Sequence, residues 1–291
     1  MAKPLPTPVL LGGAAIAVGL VVLATSPAGQ QAARAASSAL SGWTRNVLRL
    51  VSATEGRPDS INRNTDGAGL SYGILQWTQA SGNLGKLLAA MQEADPPAFA
   101  RIFGGGWSRL LDHTRQRSLG PLDGAVLWAE PWASRFIAAG RHPPFVDLQW
   151  SMAARGEHFQ GAERVAALLG VRTERAMALF FDRSVQQGAG GARANAERLL
   201  AAYAAAGKAA VPYRQLLADY ATASAARFRR TTAPANPQFT PGSSRILWKP
   251  VGAEWHAFAG SFDLYTTILR RTSAILRDPS LRDDPIPAGV T

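Results

Sequence analysis

Helical periodicity dominates the alternation of apolar and polar positions along the chain. In SGWTRNVLRLVSATEG, Trp43, Val47, Leu50 and Val51 fall on one face at helical spacing. The stretch runs from Ser41 to Gly56, so a helix is expected there with Glu55 in its last turn. GNLGKLLAAMQEA reads the same way, as do 123–138, 147–169, 173–187 and 192–206. Gly140, Gly170, Gly188 and Gly207 stand at or just beyond the ends of these segments, where a residue free to turn left-handed is favoured. FGGGW reads as a turn and TTAPANPQFTPGSS as a proline-rich loop. RILWKPVGAEWHAFAGSFDLYTTILRRTSAILRD carries one more helix, and RDDPIPAGVT reads as a frayed tail. There is no internal repeat and no sustained strand-like alternation, so the expected fold class is mainly α.

One apolar segment stands apart. VLLGGAAIAVGLVVLA, residues 9–24, follows a lone Lys3 and is slightly short of the roughly 20 residues that cross a bilayer. It reads either as a secretory signal, for which Ala33-Arg34-Ala35 offers a cleavage site, or as a transmembrane anchor followed by the linker TSPAGQQAARAASSA. The expected location is therefore a membrane anchor facing the periplasm, the periplasm or exterior after cleavage, or a virion membrane. The domain plan is 1–40 signal or anchor with linker, 41–278 one globular domain, and 279–291 a flexible tail.

Composition sharpens this picture. With 47% hydrophobic residues in 291, the chain can bury a full core. Lys and Arg number 31 against 20 Asp and Glu, a formal charge of +11 that favours an anionic partner. AARFRRTTA and Arg270-Arg271 are accompanied by no interleaved aromatic platform, so nucleic acid is not the expected partner. The absence of cysteine excludes disulfides and thiolate metal sites. His113, His142, His158 and His256 lack metal-ligand spacing, so neither metal nor cofactor is expected.

The candidate chemistry lies in SATEG and in NRNTDGAGLSYGILQW, which follows it closely. A carboxyl at a helix C-terminus, beside apolar Val51, meets the negative end of the helix dipole, which favours the protonated form a general acid needs. Asp66 lies in an Asn- and Gly-rich turn open to water, which keeps it ionised. Two carboxyl groups whose surroundings push their pKa values apart are the signature of glycoside hydrolysis. With Asp66 as base acting through a water, the groups should stand roughly 6.5–9.5 Å apart.

DGAGLSYGILQW resembles the carboxylate-bearing hairpin of the lysozyme superfamily. It is similar in particular to that of the bacterial chitosanase family, where a helix-borne Glu precedes D-G-x-G-[YL]-[TS]-x-G. The resemblance implies a lysozyme-like domain of two helical lobes with a small β-hairpin between them. It also implies Glu55 as acid, Asp66 as base, Ser71 as the hydroxyl that holds the attacking water, and Tyr72, Gln76 and Trp77 as substrate contacts. SYGILQW is also similar to the S-x-G-[LI]-[ML]-Q motif of lytic transglycosylases, which need the Glu alone. The resemblance extends over 41–269: FFDRSVQQG matches F-x-D-x-x-V-Q-x-G, in which Asp182 and Gln186 either line the cleft or stitch their own helix, and GAEWHAFAGSFDLYTTI matches the family's C-terminal segment. Among Trp77, Trp107, Trp128, Trp132 and Trp150, one or two are expected to stack on sugar and the rest to be core. The Glu55-to-Asp66 interval is short for a chitosanase and nearer to that of phage-type lysozymes.

The strong positive charge suits peptidoglycan, whose stem peptides carry carboxylates, better than polycationic chitosan. The expected function is peptidoglycan hydrolysis. The alternatives are a lytic transglycosylase using Glu55 alone, or a non-catalytic anchored protein that binds cell wall or assembles with envelope or virion proteins.

Overall fold

The computed structural model describes residues 40–65, 67–235, 238–239, 246–259 and 261–286, apart from the side chains of Glu55, Gln238 and Phe239. The apolar run 9–24 and its linker lie outside the described residues. Among the described residues no helix is long and apolar enough to cross a membrane.

Helix α1 (Gly42–Glu55) leads into a three-stranded antiparallel sheet of β1 (Ile61–Arg63), β2 (Leu70–Tyr72) and β3 (Trp77–Thr78). Helices α2 (Asn83–Ala94), α3 (Pro96–Phe103), α4 (Trp107–Arg115), α5 (Trp132–Ala139) and α6 (Pro143–Arg155) follow. Then come α7 (Glu157–Leu169), the long α8 (Glu174–Ala205) and α9 (Tyr213–Ala226). The chain closes with a second sheet and α10 (Leu264–Arg277). That sheet comprises β4 (Arg229–Arg230), β5 (Gln238–Phe239), β6 (Ile246–Val251) and β7 (Glu254–Ala259) in the order β4-β7-β6-β5, with β8 (Phe262–Asp263) paired to β7.

The apolar residues form two cores. One gathers Val47, Leu48 and Val51 of α1 with Phe159 and Val165 of α7, Met177, Phe180 and Phe181 of α8, and Leu217 and Tyr220 of α9. The other gathers Leu70 and Tyr72 of β2 with Leu87, Phe99, Phe103, Trp132, Phe136 and Phe145. Helix α6 serves both, because Phe145 points into the second core and Ala153 into the first. Trp77 also packs against both.

The expected helices appear with altered ends. Gly156, at φ −71° and ψ 165°, splits 147–169 into α6 and α7. Only the last part of 123–138 is helical, because the backbone turns at Asp123 and Gly124, both at positive φ. The segments 173–187 and 192–206 join into α8 across Gly188, whose φ of +73° puts a kink where a helix end was expected. Leu48 rather than Leu50 completes the buried face of α1.

The segment expected to fray is clamped. Arg175 lies in the interior and donates to the carbonyls of Ile275, Leu276, Asp278 and Leu281 at 2.7–3.1 Å, capping α10, while its Nε reaches Asp283 at 2.9 Å. Glu174 pairs with Arg282, and the amide of Ile286 donates to the Arg172 carbonyl at 2.8 Å. Residues 279–286 are therefore docked; 287–291 lie outside the described residues.

A third charged pair lies one helical stretch further along α8. Asp182 (1% exposed) accepts from Arg183 Nε at 3.0 Å through one oxygen and from Arg271 Nε at 3.1 Å through the other, tying α8 to α10. Removing that carboxylate takes the counter-charge away from the fully buried Arg183 guanidinium. Asp182→Ala is expected to lower unfolding free energy in urea by about 3–5 kcal/mol.

The clamp also predicts an acid response. Burial alone would raise the Asp283 carboxyl, but hydrogen bonds from Arg175 and Tyr213, with the charges of Arg175 and Arg214, hold it below its ordinary value. A carboxyl whose folded pKa lies below its unfolded value of about 3.9 stabilises the fold above that pH and stops doing so as pH falls through the folded value. Amides in 281–286 are expected to gain hydrogen exchange as pH drops below about 4, after correction for the intrinsic rate, and Asp283→Asn should remove part of that dependence.

Candidate active site

The end of α1 rests directly on the turn between β2 and β3. A side chain at Gly56 would come 2.7 Å from Gln76 Nε2 and 3.0 Å from both the Gly73 carbonyl and Ser60 Cβ. Glycine here lets the helix end pack close against that turn without displacing Gln76 or the Gly73 carbonyl. The Gly56 amide closes the helix by donating to the Ser52 carbonyl at 2.7 Å.

The small sheet then sets a frame around the loop that follows β1. Ile61 pairs with Tyr72, Asn62 with Ser71, and Arg63 with Leu70. Asn62 Oδ1 accepts from the Thr65 amide at 3.1 Å and from its hydroxyl at 2.9 Å. Asn64, itself at φ +63°, accepts from the Gly69 amide at 2.8 Å. These side-chain bonds replace the backbone ladder where the chain reverses. Asp66 sits inside this loop in sequence and lies outside the described residues, as does the side chain of Glu55.

Gln149 of α6 ties the frame to the second lobe. It is fully buried, its Nε2 donates to the Pro58 carbonyl at 2.9 Å, and its Oε1 accepts from the Ile74 amide at 3.1 Å. One side chain thus joins the segment that leaves Glu55 to the turn that follows Ser71 and Tyr72. Gln79 braces the other edge, accepting from the Leu70 amide at 3.0 Å and donating to the Ser118 carbonyl. Beside Pro58, Asp59 is flanked by Arg57 at 3.4 Å and Arg141 at 3.1 Å, both largely exposed.

Ser71 lies on the central strand between Asn62 and Thr78 and is buried. Gln76 closes the Gly73 turn by donating from Nε2 to the Gly73 carbonyl at 2.9 Å, and Trp77 is half-buried beside it. Tyr72 and Asp182 do not fit the substrate-contact role expected of them. The Tyr72 ring has no exposed surface and packs edge-on against Phe136 at 5.2 Å, and its burial, with Asp59 nearby, pushes the phenol pKa far up. Asp182 has both oxygens engaged by guanidinium groups in the interior, so it stitches α8 to α10. Gln186, one turn further along α8, is exposed. Trp132 is core, its indole donating to the Leu122 carbonyl at 3.0 Å, while Trp107, Trp128 and Trp150 are half-buried. Among the described residues no group of three or more His, Cys, Asp or Glu side chains converges to hold a metal ion.

The sequence offered a faint signal for Gln149. It is a lone amide on an α6 face otherwise made of Phe145, Leu148 and Met152, and a polar residue on an apolar stripe must find partners. What it bonds to, 75 and 91 positions away, was not readable from spacing.

Neither a family model nor a curated protein sequence matches this chain. Solved structures do resemble it. A chitosanase from Bacillus subtilis complexed with six GlcN is similar with a TM-score of 0.55 and 15% identity, over 81% of this chain and 88% of that one. The native B. subtilis chitosanase gives 0.53 at 16% identity with the same coverage. A GH46 chitosanase from Gynuella sunshinyii, in complex with chitotetraose, gives 0.53 at 17% over the same shares. At this level of identity the likeness establishes a shared fold: a mainly helical, chitosanase-like architecture with small sheets.

Proposed function

We propose that this chain is a glycoside hydrolase acting on an amino-sugar polymer, and that the polymer is peptidoglycan. The observation that carries this reading is the junction of α1 with the small sheet. There the helix ends at Glu55 against the Gly73 turn, and the loop that follows β1 is framed by Asn62 of β1 and by Asn64. The likeness to chitosanases supports it, since those structures hold glucosamine oligomers on the same fold.

In this mechanism Glu55 donates its proton to the glycosidic oxygen as the bond to the anomeric carbon breaks. Asp66 removes a proton from the water that attacks that carbon, and Ser71 orients the water. Arg57, Arg63 and Arg141 place exposed positive charge beside the junction, which draws an anionic glycan and repels polycationic chitosan.

Glu55→Gln removes the acid without changing the shape of the side chain. It should reduce turnover of purified sacculi by at least about 10²-fold. Mass spectrometry of the wild-type products decides the chemistry: reducing ends are expected, anhydro-sugars would assign a transglycosylase, and no product at all, or efficient cleavage of chitosan instead, would overturn the proposal.

Gln149 acts at one remove, as a positioning residue. In Gln149→Ala the Pro58 carbonyl and the Ile74 amide lose their partner. The variant should remain folded at a cost of about 1–3 kcal/mol. Its kcat is expected to fall by about 10²-fold as the catalytic frame shifts, with KM much less affected. Equal losses in both parameters would mean that the residue only supports the fold.

A further inference from the structure

The second sheet takes no part in the junction at Glu55. In its ladder Trp248 pairs with Ala257 and Pro250 with Trp255, so these four residues share one face, and Arg230, the partner of Trp255 on its other side, joins them. Trp248 and Trp255 are diagonal neighbours, about 7–8 Å apart or less, and both are half-buried. The guanidinium of exposed Arg230 lies over the Trp248 ring at 5.0 Å. At the edge beside it is an open pocket of about 360 Å³ lined by Ala226, Arg229, Arg230, Thr231 and Thr232.

The carboxylates of this sheet are turned away. Glu254 pairs with Val251, and Asp263 with Phe258, which places both on the opposite face. Glu254 approaches Arg229 at 3.5 Å, and Asp263 is held by His256 at 2.7 Å and by the Thr266 amide and hydroxyl. What remains on the first face is two indole rings and the Arg230 guanidinium stacked on one of them, beside a pocket edge that carries the hydroxyls of Thr231 and Thr232. Flat rings accept the C–H face of a sugar, and the fork of an Arg accepts a carboxylate.

We infer that this face is a second glycan-binding surface, for an amino-sugar polymer that carries carboxylates. Sugar rings lie on Trp248 and Trp255, and a carboxylate pairs with Arg230 at the pocket edge. The identity of the polymer rests on the proposed function; the surface itself does not. A lipid surface fits less well, because the exposed apolar residues form no single tip. Val251 (40% exposed) and Phe262 (65%) stand opposite Glu254 and Ala259, the two ends of β7. That separation is roughly 16 Å at strand rise.

The test is co-sedimentation of the full chain with sacculi, in a Glu55→Gln background so that turnover does not consume the probe. Adding Trp248→Ala with Trp255→Ala, or separately Arg230→Glu, should weaken binding about tenfold, with thermal melts confirming that each variant is folded. Arg230 is exposed, so its variant keeps the test open if the Trp pair disturbs folding. Unchanged sedimentation in both variants would overturn the inference. So would a loss of capture by phosphatidylglycerol vesicles without a loss on sacculi, which would assign the face to lipid. The two readings fail separately: if the wild type releases no product while sedimentation still depends on these residues, the hydrolase reading falls and the binding surface stands.

Discussion

Four charged side chains of one helix lie in the interior, and the fold is arranged around meeting their needs. Glu174, Arg175, Asp182 and Arg183 of α8 are each at most 4% exposed. An ion removed from water without a partner costs several kcal/mol, so α8 can sit at the centre only if counter-charges are brought to it. Arg183 serves Asp182 from the same helix; the rest come from the far end of the chain, as Arg271, Arg282, Asp283 and the carbonyls that close α10. The C-terminal segment is thus part of the central helix's solvation. Helix α1 packs through Val47, Leu48 and Val51 into the same core as Phe180 and Phe181 of α8, so the placement of α1 depends on this closure.

Contacts that join the two cores converge near the candidate site. Helix α6 contributes to both cores, Trp77 packs between them, and Gln149 bonds to backbone on both sides of the junction. Apolar packing resists separation of the lobes but permits small slides, whereas a buried amide with one donor and one acceptor engaged tolerates little change in distance. The register of the Gly73 turn against the helix end is therefore set by a polar group, and the shape of the lobes by apolar ones.

Local patterning made much of this legible. The α1 face, its stop at Gly56 and the turn chemistry of Asn62, Asn64, Gly67 and Gly69 follow from side-chain spacing and backbone freedom. The second sheet was hidden for a physical reason. Pro250 sits within β6, where a proline argues against a strand in the sequence, and His256 and Ala257 are buried in succession because His256 is covered by Tyr265 while Ala257 faces the other side, so the two-residue period is erased. The aromatic partners of Arg230 were invisible for the same reason, since Trp248 reaches it only through the ladder. Asp182 looked available because its spacing to Gln186 is helical, but spacing does not say which side of a helix is covered by a later one.

The distribution of charge then has a consequence for how such a chain would hold a polymer. Asp59, Asp95, Asp123, Glu163, Glu174, Asp182, Glu254, Asp263 and Asp283 each hold a basic side chain, so these carboxylates serve the fold. The sequence carries 31 basic against 20 acidic residues, and exposed among the basic ones are Arg63 beside the Glu55 junction and Arg230 on the second sheet. Each patch attracts a negatively charged polymer only within the roughly 8–10 Å over which salt screens it. Two such patches on one rigid chain act differently from one: once a glycan strand is held at the first, engagement of the second becomes intramolecular and is governed by local rather than bulk concentration. On the proposed function, weak stacking on Trp248 and Trp255 would then keep an insoluble polymer near the junction, without the tight binding there that would slow release of product.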